Sequence, residues 1–310
     1  MAFLFGSRNH EAGKWIDELK RGLPEMEFRL WPDGVGDPTD IEFTLVMGGR
    51  PGMYKDFPNL KAIFSFGAGV DHLMRDPDVP KNVPIGRGVN ASLVQNMTHY
   101  VVHWVLHFHR GYHRYREHQA QATWQTLDFV YACDRRVGFL GLGALGADAA
   151  RHTATLGFPT AGWSRALKSV DGVESFHGAD QLTPFLARTD ILVCLLPLTP
   201  ETTGIINAEN LAALPEGAFV INPGRGSHAV EDDVRAALDS GHIEAAALDV
   251  FRTEPLPSED PLWAHPRVYA TPHVASRNEI EVAAAHHVGN VHRVLAGESP
   301  RPLVDRARGY

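Results

Sequence analysis

The run Val137-Gly138-Phe139-Leu140-Gly141-Leu142-Gly143-Ala144-Leu145-Gly146 constrains this chain more than any other stretch. An apolar segment leads into G-x-G-x-x-G and then into helix-forming residues, which predicts a strand, a tight turn and a helix in that order. Each glycine has a physical reason. Gly141 makes the turn, Gly143 lets the backbone approach a bulky anion, and Gly146 allows the helix to pack against the strand. The start of the helix then offers unpaired N–H groups and the positive end of its dipole. A unit of this kind cradles the pyrophosphate of a dinucleotide, and Ala144 and Leu145, which open the helix, are expected contacts.

The rest of the chain extends the same pattern. Apolar runs at 160–163, 191–195, 218–221, 245–249 and 268–270 follow the glycine motif, and runs at 2–5, 27–31, 43–47 and 62–66 precede it. Those after the motif are apolar throughout instead of alternating, as expected for parallel strands covered by helices on both faces. A long helical stretch is predicted over 92–121, with Ser92 as its cap, and a last helix over 277–296 stops at Gly297. The fold expected is α/β, with two Rossmann-like doubly wound parallel-sheet domains and a cleft between them. Residues 1–98 with 277–310 are read as a discontinuous substrate-binding domain, and 99–276 as the dinucleotide-binding domain. No Gly/Ser-rich linker marks the boundary, so a helical hinge is expected.

Composition removes several function classes. Twenty-nine Lys and Arg against 37 Asp and Glu leave a net charge of −8, which argues against a nucleic acid or an anionic membrane as partner. The two cysteines, Cys133 and Cys194, form no CxxC pair. A disulfide framework is excluded and a reducing cytoplasm is the expected compartment. No apolar stretch approaches the roughly 20 residues a bilayer demands. The first five residues lack a basic lead-in and read as a buried strand, not a signal peptide.

The second strand of the glycine unit ends at Trp163-Ser164-Arg165, with Lys168 close behind. A site selecting NAD would carry Asp or Glu here to hold the ribose 2′-hydroxyl. A hydroxyl and a guanidinium stand there instead, and these suit a 2′-phosphate. NADP(H) is therefore the preferred cofactor, with NAD(H) still possible.

Three later segments place polar residues just beyond buried strands, where α/β sheets bind ligands. They are Asn222-Pro223-Gly224-Arg225-Gly226, Asp249-Val250-Phe251-Arg252-Thr253-Glu254-Pro255 and Thr271-Pro272-His273-Val274-Ala275. Together they offer an Arg, a carboxylate and a His. That trio suits reduction of a 2-keto acid: the carbonyl oxygen takes a proton from His, a carboxylate favours the imidazolium, and Arg holds the substrate carboxylate.

At these residues the chain resembles the D-2-hydroxyacid dehydrogenase family. GFLGLGALG, NPGRG, DVFRTEPLP and TPHVA stand in the family's order. The resemblance implies that Arg225 binds substrate, Glu254 partners the histidine and His273 is the acid/base. It also makes Phe66-Gly67-Ala68-Gly69-Val70-Asp71 similar to the loop whose N–H groups cradle the substrate carboxylate, so Gly67, Ala68, Gly69 and Val70 are expected contacts. Leu196, Pro197, Thr202 and Pro223 are expected along the cofactor on the same basis. Within the family the chain looks most like glyoxylate/hydroxypyruvate reductases of the A type. That implies a homodimer in which Trp124 enters the partner's substrate pocket, although a plain interface or core aromatic explains Trp124 as well. The alternatives are a reductase of larger 2-keto acids and a dinucleotide-sensing binding protein of the same fold.

Other features carry less. His99, His103 and His107 fall at i, i+4 and i+8 on one helix face, but no acidic or cysteine partners stand at ligand spacing, and no metal is expected. Cys194 reads as a buried thiol. Asp249 either accepts a hydrogen bond from the cofactor amide or caps its turn, and the sequence leaves both open.

Overall fold

The computed structural model describes residues 1–6, 11–47 and 52–310. Along the chain run β1 (Ala2–Gly6), α1 (Ala12–Gly22), β2 (Glu27–Leu30), β3 (Ile41–Val46), β4 (Ala62–Ser65), α2 (Asp71–Met74), β5 (Ile85–Gly86), α3 (Ala91–His109) and α4 (Tyr112–Ala120). Then follow β6 (Val137–Leu140), α5 (Ala144–Thr155), β7 (Thr160–Ser164), β8 (Val173–His177), α6 (Leu182–Ala187), β9 (Ile191–Cys194), α7 (Ala208–Ala212), β10 (Ala218–Asn222), α8 (Glu231–Ser240), β11 (Ile243–Leu248), β12 (Val268–Ala270) and α9 (Ile280–Leu295). The chain divides into two units, Met1–Leu93 with Arg277–Tyr310, and Val94–Ser276.

The first unit is built on a five-stranded sheet in the order β2-β1-β3-β4-β5, with every pair parallel. Strand residues alternate between two apolar layers. Leu4, Ile41 and Ile63 face one, while Phe3, Phe5, Phe43 and Phe64 face the other, beneath Trp15 of α1 and Ala284 of α9. Period-two geometry with both faces buried explains why these strands are apolar along their length.

The second unit holds a seven-stranded parallel sheet in the order β12-β11-β10-β9-β6-β7-β8. Here Leu140, Leu192 and Val220 face one layer and Phe139, Val193 and Ile221 the other. Burial of each such side chain contributes on the order of 1.5–3 kcal/mol. Because β6 lies between β7 and β9, the strand order reverses there, and the loops after β6 and β9 part at a switch point. All seven strands run parallel, so the loops after β6, β7, β9, β10, β11 and β12 leave the same edge.

Three local expectations differ from the structure, and two of its strands had no counterpart among them. The helix expected over 92–121 is broken into α3 and α4 at Gly111, whose φ of +68° takes the chain out of helical geometry. Its cap is Asn90, not Ser92: Asn90 Oδ1 accepts the Leu93 N–H at 3.0 Å and the Ser92 hydroxyl at 2.8 Å. The last helix begins at Ile280, three residues after 277, and Asn278 before it donates to Phe66 O. Strands β5 and β8 carried no legible apolar run, since β5 has two residues and β8, at the sheet edge, is half-exposed and polar.

Candidate active site

The glycine motif folds as strand, turn and helix. Gly141 has φ +102°, and a Cβ there would lie 2.7 Å from Leu195 O, so both conformation and space demand glycine. A Cβ on Gly146 would lie 1.9 Å from Gly141 O, which closes the first turn of α5 onto the motif's own backbone. Gly143 is different. Nothing lies within 4 Å of where its Cβ would be, and it caps the twelve-residue α5 without any side-chain cap. Open space in front of an uncapped helix start fits the pyrophosphate of a dinucleotide, with the Ala144 and Leu145 N–H groups in that first turn.

The neighbouring loops frame this place. After β9, Leu196 is buried, and Pro197 O accepts the Thr202 hydroxyl at 2.7 Å, while Thr202 Oγ1 accepts the Thr199 N–H at 2.8 Å. Thr202 therefore shapes the loop that carries Pro197. After β7, Ser164 is buried and donates to Ala166 O at 2.8 Å, whereas Arg165 and Lys168 are exposed. Among the described charges, Arg165 draws Glu201 below the usual carboxylate range, behind the larger effect of a hydrogen bond from Thr199.

Beyond β10, β11 and β12 three polar residues converge. His273 Nδ1 and Glu254 Oε2 are 2.8 Å apart, and Glu254 Oε1 accepts the Phe251 N–H at 3.0 Å. Burial works to raise the Glu254 carboxyl, but the hydrogen bonds from His273 and Phe251 and the charges of His273 and Arg225 outweigh it and hold the group below the usual range. An ionised carboxylate only accepts, so Nδ1 carries a proton and Nε2 is the nitrogen left to exchange one. Arg225 is half-buried. Its backbone N–H donates to His228 Nδ1 at 3.2 Å and its guanidinium to Gly224 O at 2.8 Å. A Cβ on Gly226 would lie 1.9 Å from the Phe251 carbonyl carbon, so the NPGRG turn packs directly on the backbone that holds Glu254.

Asp249 is fully buried and serves the same turn. It accepts from the Thr271 hydroxyl at 2.6 Å, from Val274 N–H at 2.9 Å and from Ala275 N–H at 2.8 Å. This geometry shows Asp249 holding its turn, one of the two roles the sequence left open. Thr271, two residues before His273, had no assigned role in the sequence, and His228 was likewise missed. The spacing of each from a motif residue was the available signal.

In the first unit the loop at Gly67, Ala68, Gly69 and Val70 turns its carbonyls inward. Gly67 O accepts from Gly88 N–H at 3.0 Å, Ala68 O from Arg87 Nε at 2.8 Å, and Gly69 O from the Ser65 hydroxyl at 3.0 Å. None of the four N–H groups donates to another described residue. A run of such donors is an anion-binding surface. Trp124 is fully exposed on this chain. Of the histidine stripe, His99 and His103 are exposed, and burial, with the neighbouring cations, pulls His107 down to about 4. Among the described residues no group of three or more His, Cys, Asp or Glu is arranged to hold a metal.

Residues 102–275 match the profile described as D-isomer specific 2-hydroxyacid dehydrogenase, NAD binding domain. The chain belongs to the D-isomer specific 2-hydroxyacid dehydrogenase family. Three solved relatives agree over the full length. The dehydrogenase is 42% identical to a D-isomer specific 2-hydroxyacid dehydrogenase of Xanthobacter autotrophicus Py2, in complex with NADPH and MES, with a TM-score of 0.95 over 100% of this chain and 99% of that one. It is 36% identical to the NADPH-dependent glyoxylate/hydroxypyruvate reductase of Sinorhizobium meliloti, in complex with NADP and sulfate, with a TM-score of 0.91 over 100% and 99%. A probable 2-hydroxyacid dehydrogenase of Rhizobium etli CFN 42, in complex with NADP, HEPES and L(+)-tartaric acid, is 36% identical with a TM-score of 0.92 over 100% and 99%. This dehydrogenase is thus an oxidoreductase of the NAD(P)-dependent kind, and both of its units are parallel-sheet α/β structures.

Proposed function

We propose that this dehydrogenase reduces small 2-keto acids, glyoxylate to glycolate and hydroxypyruvate to D-glycerate, with NADPH preferred and NADH possible. The observation that carries the reading is the 2.8 Å pair of His273 and Glu254 beside Arg225. A reduced nicotinamide, when bound, supplies a hydride to the carbonyl carbon of the substrate. His273, paired with Glu254 through Nδ1, donates its Nε2 proton to the carbonyl oxygen. Arg225 and the N–H groups of Gly67, Ala68, Gly69 and Val70 hold the substrate carboxylate.

The glycine motif with Ala144 and Leu145 would take the pyrophosphate, and Leu196, Pro197, Thr202 and Pro223 would lie along the dinucleotide. Ser164, Arg165 and Lys168 would take a 2′-phosphate, which is what the absence of a carboxylate at the end of β7 supports. The complexes of the Xanthobacter, Sinorhizobium and Rhizobium relatives support the same preference. Residues 1–98 with 277–310 would be the substrate-binding domain and 99–276 the dinucleotide-binding domain. The working form would be a cytoplasmic homodimer, with Trp124 offered to the partner's site.

The test is the initial rate of NADPH and NADH oxidation with glyoxylate, hydroxypyruvate, pyruvate and phenylpyruvate in turn. Fast NADPH oxidation with the first two is expected. Selective use of phenylpyruvate would keep the mechanism and replace the substrate. Tight cofactor binding without turnover of any of the four would move the protein to a dinucleotide-sensing role.

A further inference from the structure

A chain of hydroxyl groups runs from helix α3 to the turn that carries His273. The Tyr100 hydroxyl of α3 lies 2.9 Å from Thr271 Oγ1, and Thr271 Oγ1 donates to Asp249 Oδ1 at 2.6 Å. Thr271 has one hydroxyl proton, and an ionised carboxylate can only accept. That proton therefore points at Asp249, and Tyr100 is the donor to Thr271. The other hydrogen-bond partners of Asp249 are donors too: Val274 N–H on the same oxygen at 2.9 Å and Ala275 N–H on the other at 2.8 Å. A cage made only of donors suits the anion, even though Asp249 is 0% exposed. Burial raises the Asp249 carboxyl above its ordinary range, and the donors from Thr271, Val274 and Ala275, with the charge of His273, work against that rise.

The backbone of the same turn is constrained. His273 has φ +52°, a left-handed conformation that a residue with a Cβ adopts only where its surroundings enforce it. Its N–H is 2.8 Å from Asp249 O and 3.0 Å from Thr271 O. The side chain and the carbonyl of Asp249 therefore grip the turn on both sides of His273.

We propose that Tyr100 and Thr271 are positioning residues for the acid–base chemistry of His273: their hydroxyls fix Asp249 as an anion, and Asp249 fixes the strained turn that aims the imidazole. The proposal rests on the reading of His273 as general acid. It makes α3, through Tyr100, part of what supports the catalytic turn. The groups that bear on Asp249 are the donors Thr271, Val274 and Ala275 and the charge of His273, with Tyr100 donating to Thr271, and those that bear on Glu254 are His273, Phe251 and Arg225.

The experiment compares Thr271→Val, Thr271→Ser and Tyr100→Phe with the wild type in the full-length protein. Three quantities are read: kcat and KM with NADPH and glyoxylate, the pH profile of kcat, and the NMR titration of the His273 imidazole without substrate. Thr271→Val should lower kcat about tenfold while both KM values stay within about twofold. Its His273 titration should move to lower pH, because Asp249 loses a donor, is protonated more readily and then no longer favours the imidazolium. Thr271→Ser, which keeps the hydroxyl, should stay within about twofold of the wild type. Tyr100→Phe should shift both quantities the same way by a smaller amount, about threefold in kcat.

Wild-type kcat and titration in Thr271→Val would overturn the proposal. So would equal losses in Thr271→Val and Thr271→Ser with an unmoved titration, which would make Thr271 a packing residue. If Thr271→Val fails to fold, Tyr100→Phe decides on its own. If the wild type turns over no 2-keto acid, the reductase reading fails, and the His273 titration still reads the hydroxyl chain by itself.

Discussion

His273 and Gly226 illustrate two ways in which one residue limits this protein. In the proposed reaction His273 has a chemical task, and its Nδ1 contact to Glu254 would leave Nε2 to exchange the proton. His273→Ala should lower kcat by about 10²–10⁴ with NADPH affinity nearly unchanged, as read from steady-state rates and a fluorescence titration of the cofactor. Near-normal turnover would reassign the acid. Gly226 has a geometric task, because a Cβ would lie 1.9 Å from the Phe251 carbonyl carbon and 2.4 Å from Arg252 N. Gly226→Ala must push the Phe251 backbone aside, and the Phe251 N–H is what holds Glu254 Oε1. It should cost about 1–3 kcal/mol, visible as a fall in Tm, and kcat should drop with it. Arg165 is an exposed cation at the end of β7. Arg165→Ala should raise KM for NADPH about tenfold or more and leave KM for NADH within about twofold, since only the former has a 2′-phosphate to lose. Equal effects on both would remove Arg165 from cofactor selection.

Helices and strands were legible to different degrees, and α9 shows why. Its apolar face and its stop at Gly297 follow from the sequence, but the place of His287 does not. His287 is fully buried between Trp15, Phe64 and His286, and neither ring nitrogen has a hydrogen-bond partner among the described residues. Burial, with the charge of His286, pulls its pKa from 6.5 down to about 3. The unfolded chain therefore binds the proton more tightly than the folded one, and stability declines as pH falls from about 6.5 toward about 3. His287→Leu should flatten that decline and raise Tm at neutral pH, because a polar ring without partners is replaced by an apolar side chain. Thermal unfolding from pH 7 to pH 4 checks this, and parallel curves for the two proteins would refute it. The break between α3 and α4 was hidden for a related reason. A single glycine at 111 is tolerated inside many helices, and only its φ of +68° decides that this one ends here.

At the scale of the whole molecule, the homodimer proposed above would cover some of the exposed aromatic residues Tyr112, Trp124, Phe129 and Tyr131, against the self-repulsion of a net charge of −8. Sedimentation equilibrium should give twice the chain mass. Trp124→Ala should retain that mass while raising the substrate KM if the indole reaches the partner's site. A monomer with full activity would exclude both statements.

The sequence by itself determined the parallel α/β architecture and the strand-turn-helix of the glycine motif, and it singled out Arg225, Glu254 and His273 as candidates, because each stands at short-range spacing within its own segment. Uninterrupted apolar strands announce burial on both faces, and successive glycines two and three residues apart announce a turn against a helix start. The tertiary structure alone decided what holds the trio in place. Thr271 and Asp249 are 22 residues apart and Tyr100 and Thr271 are 171 apart, so no local pattern joins them. Nor could spacing show that Gly226 lies against Phe251, or that His273 takes a left-handed φ, since both arise only when separate strands bring their loops to one edge of the sheet.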